Sequence, residues 1–594
     1  MPKPTVDYSV YLVTDSTAAV LGPGRTVPEV VGAAFTNSPK GSIGIVQLRE
    51  KNSDARTMLA TLAELHAFTG PAGAPLLVND RVDVAVAAMA RGHCEGVHLG
   101  QEDIGVATAR RMLGDDAIIG VTASTVDEAV AACRDGADYL GLGTVFATPT
   151  KTNTKHVVGT TGIQRMLKAM AAAGYGHIPA VCIGGINTSN ARRVIFQGGY
   201  LPLPEEEDEE AAGTTEATGT TGASTVAQRN TGKKLDGVAV VSAIMSAADP
   251  GAASTLLADE VRLGKTEGPT KFYKSTSSIH GSAVTSSPLS GSPSTSTVQR
   301  ILRALNDTTP LSHNMTNLVV QNIAANIALA VGASPIMSNS GKEAADLARL
   351  PASALVINMG TVTAESLANY VQAIRAYNAA GRPIIFDPVG AGATVVRREA
   401  VKTIMSAGYI DVIKGNEGEI QTVYLSGLSD EERTKAEAGL AQQRGVDGGN
   451  TLDAVARSRL VRRLAAREKC VVVLTGEVDY VSDATGERMA TVAEGHPMLG
   501  QVTGTGCSLG TVLSATVAAA ATASIREATP QRADKVNDPF SAVIAGMLLF
   551  ERAAARAASQ PVVKGPGSFV PVFLDELSRC RRMAAQGDMS WASD

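Results

Sequence analysis

Three groups of residues in this 594-residue chain have the types and spacing to do chemistry. The first is a thiol, Cys507, in VTGTGCSLG, behind a glycine-rich turn and ahead of a run of small residues. A helix N-terminus lowers a thiol's pKa, so a redox role is open to it. A small residue packed at a helix start is a second reading. A metal site would need partner cysteines, and no CxxC pair occurs. The reading taken forward is a group beside a substrate hydroxyl and a transferring phosphate. There it accepts a proton or shapes an anion hole, with no covalent intermediate.

The other two groups are pairs of acids. Asp80 in VND and Asp103 in LGQED each follow a short apolar run, with Arg49 and Lys51 in QLREK and Lys151 in TPTKT as opposing cations. Two carboxylates facing cations suit magnesium holding a polyphosphate. Further along, Asp387 in DPVGAGAT and Glu419 in DVIKGNEGEI are placed to share a second magnesium. Arg397, Thr475 and the Gly504–Gly506 turn could face phosphates there. A glycine-rich turn leading into a helix presents free N–H groups at a positive dipole end. That is a phosphoryl-transfer architecture, although the P-loop pattern GxxxxGK(S/T) is absent. Of the histidines nearby, His98 reads as a packed core residue, His496 as a structural loop residue, and His313 as a cap on a long helix.

These residues need elements to position them. The N-terminal half alternates eight apolar runs with helix-length stretches: YSVYLVTD, IGIVQLRE, PLLVND, GVHLG, AIIGVT, YLGLGTVF, IPAVCIGG and GVAVVSAI. That alternation predicts a (β/α)8 TIM barrel, whose chemistry sits where the strands end. The second half repeats the α/β texture. LSHNMTNLVVQNIAANIALAV reads as a long helix, ALVINMGTVT, PIIFDPVG and CVVVLTGEVDYVSD as buried strands, and CSLGTVLSATVAAA as a helix.

Hydrophobic residues make up 44% and charged residues 19%, the mix of an ordinary soluble protein. A net charge of -5 without a basic stripe argues against nucleic acid. No signal pattern and no bilayer-length apolar run is seen, so no membrane contact and a cytoplasmic location are expected. Two low-complexity stretches divide the chain. Residues 263–297, rich in Ser, Thr, Gly and Pro, read as a flexible linker between domains at 1–262 and 298–594. Residues 200–235 open on an acidic run and read as a disordered insertion within the first domain, because joining their flanks restores one helix–turn–strand unit. The insertion falls ahead of Val241 and Ser242 in sequence, where it could loosen a phosphate loop. The charged stretch SDEERTKAEAGLAQQRG reads as a solvated helix.

With these motifs in order, residues 7–260 resemble the thiamine-phosphate synthase family. The resemblance implies coupling of a pyrimidine-methyl diphosphate to a thiazole phosphate with loss of pyrophosphate. It implies that Gln47, Leu48, Arg49, Glu50, Lys51, Asn79, Thr122 and Lys151 bind the pyrimidine diphosphate. Thr148, Pro149, Thr150, Gly185, Val241 and Ser242 would hold the thiazole phosphate, and Asp80 and Asp103 the magnesium. Thr122 stands where the family usually has Ser, which keeps the hydroxyl. Residues 300–580, through TNLV, SPIM, DPVGAGAT, GNEGEI, TGEVDY and TGTGC, resemble the hydroxyethylthiazole kinase family of the ribokinase-like α/β fold. That resemblance implies Met337 and Gly504 at the thiazole alcohol, Arg397 and Thr475 at ATP, Asp387 and Glu419 at magnesium, and Cys507 as the catalytic residue. It also implies a homo-oligomer formed through the kinase domain. One bifunctional enzyme acting on small molecules is the favoured reading. A chain with one active and one regulatory domain, and a phosphotransferase for a different alcohol, are the competing ones.

Overall fold

In a computed structural model, the structure describes residues 3–148, 157–200, 232–266, 292–428, 433–434, 452–526 and 538–592. The chain divides into two compact units, Met1–Pro269 and Thr270–Asp594.

The first unit is a closed barrel of eight parallel strands: β1 (Val10–Val13), β2 (Ile45–Leu48), β3 (Leu76–Asn79), β4 (Gly96–Leu99), β5 (Ile118–Ala123), β6 (Tyr139–Gly143), β7 (Ala180–Ile183) and β8 (Gly237–Val240). The closing pair sets Val10 beside Val238 and Leu12 beside Val240. Each strand falls in one of the eight apolar runs, because strands buried on both faces carry continuous rather than alternating apolar sequence. Tyr11, Val13, Ile45, Leu77, Ile118, Tyr139, Val181 and Ala239 fill the barrel's interior. A larger cluster, including Leu12, Val46, Leu62 and Val194, packs strands against helices.

The second unit is a mostly parallel sheet in the order β10-β9-β11-β12-β13-β14-β15-β16. Its strands are β9 (Leu311–Met315), β10 (Ser334–Ile336), β11 (Ser353–Asn358), β12 (Ile384–Asp387), β13 (Val412–Asn416), β14 (Val471–Thr475), β15 (Asp479–Ser482) and β16 (Met489–Val492). Only β14–β15 and β15–β16 pair antiparallel. The stretch CVVVLTGEVDYVSD is thus a hairpin, not one strand.

LSHNM is the other departure from expectation. It forms β9, with all five residues buried, and the helix begins only at Gln321 (Gln321–Ala330). Three central polar residues disguise the strand, and each is satisfied by a distant partner. Ser312 Oγ lies 2.6 Å from Ser514 Oγ, and Thr511 Oγ1 donates to Asn314 Oδ1 at 2.7 Å. His313 meets Tyr377 OH at 3.2 Å and Ser338 O at 3.0 Å, so it is a core residue and not a helix cap. The helix Thr505–Arg526 also departs from expectation. Thr505–Thr522 is long and apolar enough to cross a membrane by length and composition, yet 89% of that stretch is buried inside this unit.

The linker expectation is narrowed at both ends. The helix Pro250–Thr266 runs through 263–266, anchored by Lys265 Nζ donating to Asp236 O at 2.6 Å. The helix Thr295–Thr308, capped by Ser294, takes in 295–297. Residues 267–291 of the linker, most of the insertion and most of the charged stretch that begins at Ser429 lie outside the described residues. The insertion's base is described. The helix Ala191–Gly198 ends beside it, and Tyr200 N donates to Lys233 O at 2.9 Å. Buried Lys233 donates to Gly176 O and Ile178 O, ahead of β7. This base enters β8 at its N-terminal end, the face opposite Val241 and Ser242.

Candidate active sites

At the C-terminal rim of the barrel, β3 delivers Asn79 and Asp80, and the turn after β4 delivers Asp103. Asp80 adopts φ +62°, in the left-handed region that favours glycine, held there by its N–H bonding to His98 O at 2.9 Å. Strain of this kind persists where surrounding structure over-determines it. Burial, with the hydrogen-bonding and charged carboxyl of Asp103 beside it, pushes the Asp80 carboxyl up to about 6; Lys51 and Asn79 oppose that rise. Asp103 is fixed in turn by Gly100 N at 2.6 Å. Among the described residues the lysine acting on this carboxyl pair is the exposed Lys51, and two neighbouring carboxyls disfavour each other's ionisation.

From β2, Arg49 is aimed by Asp15 at 3.3 Å and by its own N–H on Thr14 Oγ1 at 2.9 Å. Glu50 is engaged by Ser16 and Ser53. Leu48 is fully buried in the strand, so any ligand contact there falls to its main chain. Gln47 points into the barrel and begins a line of buried hydrogen bonds. Gln47 Nε2 donates to Tyr11 OH at 2.6 Å, Tyr11 OH meets Tyr139 OH at 2.7 Å, Tyr139 OH meets His98 Nδ1 at 2.7 Å, and His98 Nε2 meets Thr122 Oγ1 at 2.8 Å. His98 is thus the packed residue expected, and it also fixes Thr122. Asp15 and the two tyrosines were missed in the sequence, where an Asp or Tyr in an apolar run carries no mark of its distant partner.

On the opposite arc, Gly185 has φ +65°, and a Cβ there would stand 2.8 Å from Phe146 Cβ. Only glycine lets this turn close over the β6 loop that carries Thr148. Val241 precedes the short helix Ser242–Met245 directly after β8. Pro149, Thr150 and Lys151 lie outside the described residues.

In the second unit the strand ends converge more tightly. Asp387, ending β12, is wholly buried. Its Oδ2 accepts from Asn358 Nδ2 and from Lys414 Nζ, both at 3.0 Å, while its Oδ1 has no hydrogen-bond partner. Glu419 accepts from Gly390 N at 2.8 Å and Asn416 N at 2.9 Å, the second as half of a capping box that opens the helix Glu417–Ser426. Burial first, and then the charge of Asp387, push Glu419 up to about 7. Burial opposes the Lys414 ammonium, but Asp387, Cys507 and Glu419 outweigh it and raise its pKa.

Cys507 joins this cluster from the first turn of Thr505–Arg526. Burial, then the Asp387 charge, push its thiol up to about 11, against Lys414 and a hydrogen bond with Asn358. At neutral pH it is a thiol rather than a thiolate. The other described cysteines are all more deeply buried. Thr475 ends β14 directly beside Asn416 of β13, and Gly476 N donates to Asp479 Oδ1 at 2.8 Å. Gly504 has φ +94° and packs within 2.8 Å, by its absent Cβ, of Val320.

Arg397, the expected ATP contact, is held by main-chain carbonyls. Its guanidinium donates to the carbonyls of Met359, Val389 and Gly360 at 2.7–3.0 Å, clamping the loops after β11 and β12 together. The cation beside the carboxylates is Lys414, which was missed along with Asn358. A lysine inside the apolar run DVIKGN was the available signal, since a buried lysine needs an acid partner. Met337 follows β10 at the sheet edge, and no hydrogen bond ties it to the Asp387 cluster. His496 accepts from Met498 N at 3.2 Å and starts a 3-10 turn, the structural role expected.

The comparisons agree with this division. A model described as thiamine monophosphate synthase matches residues 10–199, and one described as the hydroxyethylthiazole kinase family matches residues 302–582. A probable thiamine biosynthetic bifunctional enzyme of Schizosaccharomyces pombe is 35% identical over 99% of this chain and 98% of its own. The thiamine biosynthetic bifunctional enzyme of Saccharomyces cerevisiae is 30% identical over 97% of this chain and 96% of its own. A hydroxyethylthiazole kinase of Halalkalibacterium halodurans is 41% identical over 47% of this chain and 94% of its own. Eight closed strands ending in paired acids, a sheet whose strand ends gather Asp387, Lys414, Glu419 and Cys507, and full-length likeness to two fused enzymes lead to one assignment: the chain belongs to the bifunctional thiamine biosynthetic enzymes, with a thiamine-phosphate synthase and a hydroxyethylthiazole kinase in one polypeptide.

Proposed function

We propose that the kinase unit, which we read as ribokinase-like, phosphorylates the hydroxyl of hydroxyethylthiazole with ATP. The barrel then joins that thiazole phosphate to the aminopyrimidine-methyl diphosphate, yielding thiamine phosphate and pyrophosphate. The observation that carries this order is chemical: one unit is built for phosphoryl transfer to an alcohol, and the other is reported by its family to make thiamine monophosphate.

The residues present suit magnesium in both units. Asp387 Oδ1 is buried without a partner beside Glu419, and Asp80 and Asp103 crowd two carboxyls together. Bound between such acids and a polyphosphate, magnesium would neutralise phosphate charge. The chain's own residues do the rest. In the kinase, Lys414 supplies fixed positive charge, the first-turn amides after Gly504 face the phosphates, and Thr475 contacts the nucleotide. Cys507 offers a neutral S–H to the reacting hydroxyl and γ-phosphate, which suffices where the transition state is loose and little proton transfer is needed. In the barrel, Arg49, Lys51 and Lys151 hold the departing pyrophosphate, and Gln47 and Thr122 orient the pyrimidine. The thiazole phosphate sits on Thr148, Thr150, Gly185, Val241 and Ser242. The electron-rich aminopyrimidine itself stabilises the cation developing at its methylene, so no strong base is required.

A homo-oligomer through the kinase unit and a cytoplasmic location belong to the same proposal. Leu318 and Val319, directly after β9, are 83% and 73% exposed, which supports a covering subunit. The test of the reaction order is an assay with hydroxyethylthiazole, ATP, magnesium and the pyrimidine diphosphate, following thiazole phosphate and thiamine phosphate separately. Both products are expected, the thiazole phosphate first. Accumulation of thiazole phosphate alone would remove the synthase half of the proposal.

A further inference from the structure

Behind the kinase site lies a second pair of acids that the reaction does not use. Asp479 opens β15, and Glu551 sits on the helix Pro539–Ala558. Both are more than nine-tenths buried, and their carboxyls are in hydrogen-bond contact with each other. Each spends one oxygen on a main-chain amide. Gly476 N donates to Asp479 Oδ1 at 2.8 Å, and Glu494 N donates to Glu551 Oε2 at 3.0 Å. Glu551 Oε1 receives no N–H or O–H donor. Among the described residues no cation forms an ion pair with either acid. The charged groups around them are Lys414 of β13, whose charge reaches Asp479, and Glu494, which faces Glu551 but is itself paired to Arg552 at 2.9 Å.

Two buried carboxylates in contact repel, and one proton between them turns the repulsion into a strong hydrogen bond. We infer that Asp479 and Glu551 share a single proton and act as a positioning pair, latching the Thr475–Gly476 turn to the segment that leads towards Gly504, so that they set the affinity for ATP without touching the reacting atoms. The inference rests on the reading of Thr475 as a nucleotide contact. It has a pH consequence. Burial and the charge of Asp479 push Glu551 up to about 9. A carboxyl raised above its unfolded value contributes stability that is fully present below the ordinary carboxylate range and is lost as pH rises through that raised value. The latch is therefore closed at neutral pH and opens above about pH 9.

The experiment uses the full chain and measures kcat and KM for ATP between neutral and alkaline pH, with retained kcat and the kinase unit's melting transition as the folding control and synthase turnover of added thiazole phosphate as the control for the barrel. Glu551→Gln keeps the geometry with no proton to lose: its amide donates to Asp479 and its carbonyl accepts from Glu494 N. We expect wild-type KM for ATP to climb above about pH 9 and the Gln variant to stay flat. Glu551→Ala should raise KM for ATP roughly five- to tenfold at neutral pH, the size of one lost hydrogen-bonded constraint, with kcat and synthase turnover kept. An infrared band of a protonated carboxyl should be present in the wild type at neutral pH and gone in Glu551→Gln. A Gln variant as impaired as Ala, or no such band, overturns the shared proton. Thr475→Val separates the two layers. If it leaves KM for ATP unchanged while the band is present, the nucleotide reading fails and the proton-sharing pair stands.

Discussion

The two sites of this chain solve one electrostatic problem in different ways. Both bring two acids together at parallel strand ends. In the kinase unit Asp387 is wholly buried, its charge met within the fold by Lys414 on the next strand and its Oδ2 also accepting from Asn358 Nδ2. In the barrel, among the described residues, no buried lysine lies beside the Asp80–Asp103 pair, and the cation acting on Asp80 is the exposed Lys51. Depth accounts for the difference. A charge taken fully out of water needs a permanent partner, whereas a part-exposed pair can leave its neutralisation to ligands and solvent. The kinase cluster is thus a pre-built device, and the barrel rim is completed by what it binds.

That contrast can be broken most severely at Lys414. Lys414→Met would leave Asp387 and Glu419 buried without a cation. Kinase turnover should fall about a thousandfold or more, with a loss of roughly 3–5 kcal/mol in the stability of that unit, while synthase turnover from added thiazole phosphate persists. Loss of the kinase unit's own melting transition would mean that unit had simply unfolded. At the barrel, Asp80→Asn removes charge from a more solvated pair. Synthase turnover should fall about a hundredfold, with melting little changed and the kinase intact.

Cys507 sharpens the comparison further. Cys507→Ala should slow the kinase about tenfold to a hundredfold without abolishing it. Because burial and Asp387 hold the thiol up to about 11, a thiolate base would make the rate climb steeply with pH, whereas the neutral thiol predicts a flat profile around pH 7 to 8. A steep rise there would restore the base. The smallest effect is expected from replacing residues 201–231 by a short Gly/Ser bridge. The Tyr200–Lys233 pairing already brings the ends together on the face opposite the site, so synthase turnover should change by less than about twofold.

What the sequence disclosed follows the same physics. All eight barrel strands were readable because burial on both faces writes itself as an uninterrupted apolar run. β9 was not, since Ser312, His313 and Asn314 are satisfied by Ser514, Tyr377, Ser338 and Thr511, and only the folded chain shows that. Asp387, Glu419 and Cys507 stood out by motif and converge in space. Lys414 and Asn358 did not stand out, because their work depends on the register of β11, β12 and β13, which sets Asn358 directly beside Asp387. Arg397 was conspicuous in sequence as a charged residue after a glycine-rich loop, but its hold on the carbonyls of Met359, Val389 and Gly360 appears only in the folded chain.

The buried line from Gln47 through Tyr11, Tyr139 and His98 to Thr122 has an evolutionary consequence. Each member is hydrogen-bonded to the next, so a change at one position alters the polar environment of its neighbours. A Tyr139→Phe change would take one partner from Tyr11 and one from His98 at once, leaving Tyr11 on Gln47 and His98 on Thr122. Substitutions along this line should therefore be inherited as sets, making the barrel's interior a more conservative record of descent than its rim.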